Sequence, residues 1–220
     1  FTIPGDDTMY AGVVVTPTCV NVMVAHNTIY GMALSNPGND SPLSYGILAY
    51  GGTTSMPVNT NIFGNEIFGV SGSAISLGDY TLGTSISHNT LRDIIPVSIL
   101  GTDFSAGVQA QFSSELVIMN NTFTNLIAAA SLPATQGEMA NNSFTNVGSY
   151  LTTTSPSMIM FGDNVNFWSA LTTIDDLGVT LDTYASDLVL ATLVADQGSV
   201  ITGSDGQLTS QDCFGVWGGA

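Results

Sequence analysis

Short alternating runs of apolar and polar residues fill the chain, and one of them keeps returning. It reads Val22-Met23-Val24-Ala25-His26-Asn27-Thr28-Ile29, then Asn61-Ile62-Phe63-Gly64-Asn65-Glu66-Ile67, then Ser85-Ile86-Ser87-His88-Asn89-Thr90-Leu91. Further copies are Val117-Ile118-Met119-Asn120-Asn121-Thr122-Phe123, Glu138-Met139-Ala140-Asn141-Asn142-Ser143-Phe144 and, more loosely, Met160-Phe161-Gly162-Asp163-Asn164-Val165. Alternation over about four residues is strand periodicity, and an Asn tolerates left-handed backbone geometry. Each copy therefore predicts a strand, a sharp corner at the Asn and a second strand, the chain turning without reversing. A second phrase appears as Gly46-Ile47-Leu48-Ala49-Tyr50-Gly51, Ala74-Ile75-Ser76-Leu77-Gly78-Asp79 and Val97-Ser98-Ile99-Leu100-Gly101-Thr102-Asp103. It predicts another face of the same unit.

The corner residues Asn27, Asn65, Asn89, Asn121 and Asn142 are separated by 38, 24, 32 and 21 residues. The short intervals fit one solenoid coil of roughly 20 to 25 residues, and the longer ones imply inserted loops or an additional turn. Asn36-Pro37-Gly38-Asn39-Asp40-Ser41-Pro42 is the clearest such loop. Stacking places each Asn above the last, in a ladder whose amides satisfy a buried corner. A β-sandwich would instead show hairpin signals between strands, and only Asp205-Gly206 fits one. After Trp168 the Asn phrase stops. The predicted organisation is a repeat domain over 1–170 and a divergent capping or assembly segment over 171–220, with apolar runs at Val179–Asp182 and Leu188–Val194.

Over about residues 12–168 these phrases resemble the pectin-lyase-like parallel β-helix repeats of carbohydrate-binding and sugar-hydrolase proteins and of secreted bacterial and archaeal surface proteins. The resemblance implies an all-β fold, a right-handed single-stranded parallel β-helix (solenoid) with Asn-containing corners and a divergent C-terminal coil. It selects no function, because the same repeat carries lyases, hydrolases, adhesins and phage spikes.

Charge narrows the partners. The 220 residues include 17 acidic ones and a single basic one, Arg92, for a net charge of −16, yet only 8% are charged. A nucleic-acid backbone needs several Lys or Arg to displace counterions, so nucleic acid is excluded as a partner. Anionic membranes are disfavoured on the same ground, and no apolar run approaches the ~20 residues that span a bilayer. With 44% hydrophobic residues the chain is expected to fold. The start at Phe1, without an initiator Met or a charged n-region, reads as a mature protein after signal removal or as a fragment, and composition suggests an extracellular or cell-surface location.

Candidate chemistry is sparse. Uronate elimination needs a base together with cations, and Arg92 is the only permanent cation, so lyase chemistry is disfavoured. Hydrolysis needs two facing carboxylates, for which Asp79, Asp93 and Asp103 are the candidates. Against this, Asp79 and Asp103 follow Leu-Gly, where turns favour Asp for backbone bonding. His26 and His88 stand two or more coils apart, roughly 10 Å at ~4.8 Å per coil, so they cannot share a metal. Acidic loops at Asn39-Asp40 and Asp175-Asp176 are candidate Ca²⁺ ligands without an EF-hand or nonapeptide pattern; no other cofactor is expected. Asn120 and Asn141 sit in N-glycosylation sequons that the repeat phrase also generates by itself. Phe63, Phe68, Phe123, Phe144, Phe161, Phe167 and Trp168 fall at apolar repeat positions and are expected in the core. Cys19 and Cys213 lie near opposite ends of the chain. A bridge between them requires either a C-terminal segment running back along the stack or Cys213 of one subunit meeting Cys19 of the next.

The leading expectation is an extracellular structural or surface protein, a sheath, surface-layer or filament subunit that self-associates through solenoid ends or edges. The alternative is a polysaccharide-active enzyme or glycan-binding module such as a phage tailspike, with a cell-surface glycan as partner.

Overall fold

A computed structural model describes residues 10–31, 44–52, 54–99 and 102–152, with strands 158–162, 180–183, 200–202 and 208–210; for 98–99, 102–104 and the strands after 152 it describes the backbone alone. Every regular element among them is a β-strand. The strands come in sets of three. The first repeat holds β1 (Tyr10–Val15), β2 (Met23–Ala25) and β3 (Thr28–Tyr30), and the second β4 (Ser44–Ala49), β5 (Asn61–Phe63) and β6 (Glu66–Phe68). The third holds β7 (Gly72–Leu77), β8 (Ser85–Ser87) and β9 (Thr90–Arg92). A hairpin, β10 (Val97–Ile99) and β11 (Thr102–Phe104), precedes β12 (Ala106–Ala110), β13 (Leu116–Met119) and the long β14 (Thr122–Ser131). Then come β15 (Gln136–Ala140), the long β16 (Ser143–Thr152), β17 (Met158–Gly162), β18 (Thr180–Thr183), β19 (Val200–Thr202) and β20 (Leu208–Ser210).

Apart from β10, β11 and β20, each strand pairs in parallel with its equivalent in a neighbouring repeat. One sheet runs β2-β5-β8-β13-β15-β17-β18-β19, parallel throughout, and ends on the antiparallel β20. Parallel neighbours need a crossover, and the remaining strands of each repeat supply it. The other two faces begin separately as β1-β4-β7-β12 and β3-β6-β9 and merge at β14. Its first half pairs with β9 (Phe123 opposite Leu91) and its second half with β12 (Ala130 opposite Val108), while β16 pairs along both halves. The result is all-β, with parallel strands in a nearly closed sheet.

The core is three files of side chains, one from each face. Val24, Ile62, Ile86, Ile118 and Met139 stand in register on the first sheet. Ile29, Ile67, Leu91, Phe123 and Phe144 form the second file, and Ile47, Ile75, Val108, Ala130 and Leu151 the third. All but the half-buried Ile29 are buried. Fully burying a Val, Leu, Ile, Met or Phe side chain contributes about 1.5–3 kcal/mol, so these files hold the sheets together.

One expected strand is corrected. Gly46–Gly51 and Ala74–Asp79 do stack, Ile47 opposite Ile75, but Val97–Asp103 does not continue that face. It folds on itself as the β10–β11 hairpin, Ile99 opposite Thr102, and Ala106–Ala110 takes the place in the face, Val108 opposite Ile75. The physical reason is space: a Cβ at Gly107 would lie 2.6 Å from the Phe123 ring, so the position needs a small residue. The strands β19 and β20 pair antiparallel, and the Asp205-Gly206 pair between them in sequence lies outside the described residues. Of the C-terminal runs, Thr180–Thr183 is a strand and Leu188–Val194 lies outside the described residues.

Candidate functional site

The corner asparagines form a continuous hydrogen-bonded file. In each rung the backbone N–H and Nδ2 of one Asn donate to Oδ1 of the Asn in the next repeat: Asn27 to Asn65, Asn65 to Asn89, Asn89 to Asn121 and Asn121 to Asn142, all at 2.8–3.1 Å. Each Nδ2 also reaches a carbonyl of its own preceding strand, as Asn89 does to Ser87 at 3.0 Å. Asn65, Asn89, Asn121 and Asn142 are buried, and Asn27 is exposed.

The left-handed backbone expected at these asparagines is found one residue earlier. His26, Gly64, His88, Asn120 and Asn141 have φ of 56°, 63°, 57°, 56° and 54°. The left-handed residue makes the bend, and the following Asn is then free to point inward and bond along the stack. Asn and His are enriched among the non-glycine residues that adopt this conformation, which accounts for their use here. A second left-handed file lies four residues after each ladder Asn: Gly31, Gly69, Asp93, Asn125 and Asn146. Its exposed side chains also bond in sequence, Asn146 Nδ2 donating to Asn125 Oδ1 at 2.9 Å and Asn125 Nδ2 to Asp93 Oδ1 at 2.7 Å. Three strand residues separate the ladder Asn from the second bend in every repeat, and in β14 and β16 the strand runs on through that bend.

Asp93 is therefore a corner residue. Arg92 donates from Nη1 to Asp93 Oδ2 at 2.8 Å and from Nη2 to Glu66 Oε1 at 2.9 Å, with its guanidinium 3.9 Å above the Phe68 ring centre. The Asn125 amide and then Arg92 hold the Asp93 carboxyl below its ordinary pKa, and the bonds to Glu66 and then Asp93 push the Arg92 pKa up. The sole cation of the chain is thus committed to two carboxylates and a ring.

The three candidate aspartates are not brought together. Asp79 is exposed just after β7, and Asp93 stands level with Gly69 ahead of that strand. At ~3.3 Å per residue β7 separates them by about 20 Å, beyond the roughly 9.5 Å an inverting hydrolase pair spans. Asp103 lies in β11 opposite Ser98, and its side chain is outside the described part. Asp79 does border a cleft of about 300 Å³ with Tyr45, Leu48, Tyr50, Ser76, Leu77, Gly78, Gln109 and Gln111. A carboxylate and two amides beside tyrosine rings are chemistry for binding a neutral polyol, with acceptors for hydroxyl pairs and a ring for a sugar C–H face. Sequence reading missed this grouping because its members come from three repeats.

His26 and His88 flank Phe63, ring centres 5.3 and 5.1 Å away. Phe63 and Phe68, expected in the core, stand half-buried on the outer side instead, Phe68 stacked on Tyr30 at 5.3 Å; Phe123 and Phe144 are core. The reason is strand alternation, since Ile62 and Ile67 already take the inward positions. The Phe161 side chain, Phe167 and Trp168 are outside the described part. Cys19 is half-buried with Thr16 Oγ1 3.3 Å from its Sγ; Cys213, Asn39-Asp40 and Asp175-Asp176 lie outside the described residues. Asn120 and Asn141 are exposed at successive bends. Among the described residues no three His, Cys, Asp or Glu side chains are grouped as metal ligands, and no helix is long and apolar enough to cross a membrane.

The first repeat differs from those after it. Val20, Met23 and Tyr30 are 59%, 67% and 64% exposed, and no other described large apolar side chain exceeds 42%. Strands β1, β2 and β3 each have one partner strand among the described residues, and Asn27 Oδ1, the acceptor end of the ladder, faces away from Asn65. Compared with known proteins, the chain matches no protein-family model and no curated protein sequence.

Proposed function

We propose that the chain is a right-handed parallel β-solenoid acting as an extracellular structural subunit, of a sheath, surface layer or filament, that self-associates through its ends or edges. The solenoid reading is supported by the order of pairing. Every repeat adds its strands to the same side of the previous repeat, and β1 and β3, the ends of the nearly closed sheet, are both strands of the first repeat and do not pair with each other. In a barrel those ends would close; in a stack they are simply its first coil. Backbone NOEs between β1 and β3 would turn the stack into a barrel.

The observation that carries the structural role is the first repeat, whose strands have no second partner strand among the described residues, with its three exposed apolar side chains and edge strands whose outward N–H and C=O groups invite another strand. Electron microscopy and native mass measurement of the full chain, with and without reductant, should find defined assemblies. A monomer at all concentrations would sink the reading.

A second reading, a glycan-binding module, rests on the cleft beside Tyr50, Asp79, Gln109 and Gln111. Asp79 is its only carboxylate among the described residues, so the described lining fits binding rather than two-carboxylate hydrolysis. Titration with a panel of neutral oligosaccharides, against the Tyr50→Ala and Gln111→Ala variants, separates this reading from a purely structural one.

A further inference from the structure

We infer that the cleft beside Asp79 takes an amino sugar, whose free ammonium pairs with the Asp79 carboxylate while its ring lies against Tyr50; this rests on the glycan-binding reading above and names the sugar class. The cleft is built across three neighbouring strands of one face. Leu48, Ser76 and Gln109 stand level on β4, β7 and β12. Two residues further on, Tyr50, Gly78 and Gln111 follow in the same order, held by Gly78 N–H donating to Ala49 O at 2.7 Å and Gln111 N–H to Leu77 O at 3.3 Å. Small residues therefore make the floor. A Cβ at Gly78 would lie 2.9 Å from Tyr50 Cβ, so only glycine leaves the Tyr50 side chain where it is. The strands bearing the two walls, Leu48 with Tyr50 and Gln109 with Gln111, are about 10 Å apart at ~4.8 Å per strand. The volume of about 300 Å³ is at the small end of ligand sites and holds one or two sugar rings.

The polar groups suit that ligand. Ser73 Oγ donates to Gln109 Oε1 at 3.0 Å, which orients the amide and leaves Nε2 without a partner among the described residues, a donor for a sugar hydroxyl. Asp79 is exposed, and no cationic side chain is at hand to neutralise it. The sequence has no Lys, Arg92 is held by Glu66 and Asp93 at 2.9 and 2.8 Å, and His26 and His88 flank Phe63 at the ladder corner. A chain of net charge −16 draws in a cationic sugar and repels a uronate. An ammonium beside Tyr50 also gains the attraction of a cation for an aromatic face. Asp79 and Gln111 are followed directly by Tyr80 and Phe112, held at φ of 62° and 51°, where bulky side chains are rare, with their rings stacked at 5.3 Å. Phe112 is 42% exposed and offers aromatic surface to the next sugar of a chain.

The test is calorimetric titration of the full chain, at about 0.15 M salt, with three β-linked trisaccharides, of glucosamine, of N-acetylglucosamine and of glucose. The glucosamine trisaccharide should bind about three- to tenfold more tightly than the other two, and Asp79→Asn should erase that preference. Glu138→Gln, which removes the same charge from β15 in the other sheet, should keep it. Tyr50→Ala and Phe112→Ala should each weaken all three sugars, with urea unfolding showing that the variants are folded; Tyr50→Leu, which keeps apolar bulk and loses the ring, replaces Tyr50→Ala if that variant does not fold. Equal affinity for the three sugars, a preference that survives in Asp79→Asn, or one that Glu138→Gln loses as well, overturns the inference and leaves glycan binding standing. Binding of none of the three, or binding indifferent to Tyr50 and Phe112, sinks both.

Discussion

At Asn89 one side chain serves two neighbours. Its Oδ1 accepts from the N–H and Nδ2 of Asn65, and its own Nδ2 donates to Asn121 Oδ1, Ile62 O and Ser87 O. Asn89→Ala leaves several buried groups without partners at once, so it should cost about 3–5 kcal/mol in urea unfolding. Asn120→Ala one step before the ladder should cost only about 1 kcal/mol, from an alanine held at positive φ, and Asn120→Gly nothing. Equal effects at the two positions would mean that the ladder bonds contribute little. Protonation gives a second residue-level outcome. Asp93 has its pKa depressed from the ordinary 3.8, so its contribution is present above that value and is lost as pH falls through the lower folded value. Asp93→Asn should flatten the stability curve below about pH 4 and leave it unchanged in shape near neutrality. The ladder asparagines stood out in the sequence because an amide bonding to its own kind admits few substitutes. The bends hid because Gly, His, Asn and Asp all serve there, yet the combination of an Asn with Gly, Asp or Asn four residues later was present in all five copies that the structure describes.

For the strands, alternation located most elements and failed at Val97–Asp103, where an apolar run of the right length is a hairpin. What alternation cannot convey is the size limit imposed by the opposite face. Phe123 fills the interior beside β12, and the face accepts Ala106-Gly107-Val108 because nothing larger than hydrogen fits at Gly107. Gly107→Ala should therefore destabilise by about 1–3 kcal/mol through overpacking. Pairing it with Phe123→Leu, which frees space at that contact, should recover part of the loss in a double-mutant cycle. Strict additivity would show that the two residues are not coupled through this packing. The long strands β14 and β16 were also invisible to pattern reading, since their left-handed residues Asn125 and Asn146 look like breaks yet are accommodated within continuous pairing.

Across the whole molecule, the single Arg turns trypsin into a reporter of the middle of the parallel strand array. The bond after Arg92 is flanked by pairing on both sides, with Arg92 opposite Phe68 and Thr124, Asp93 N–H donating to Thr124 O at 3.1 Å, and Gly69 N–H donating to Asp93 O at 3.1 Å. Cleavage requires this backbone to leave both neighbouring repeats. In a stack coupled repeat to repeat, fraying at the first coil need not reach the third, so opening there should follow cooperative unfolding. The native protein should resist trypsin and, once urea opens it, yield only the fragments 1–92 and 93–220, at a rate that tracks the opening equilibrium. Asn89→Ala, which breaks the ladder beside the same strand, should speed cleavage in proportion to its loss of stability. Added salt should slow cleavage by screening the self-repulsion of a chain of net charge −16, because unfolding relieves that repulsion and screening removes the relief. Rapid cutting of the wild type without denaturant, insensitive to salt and to Asn89→Ala, would mean that the third repeat opens locally and that the ladder does not bind the repeats into one cooperative stack.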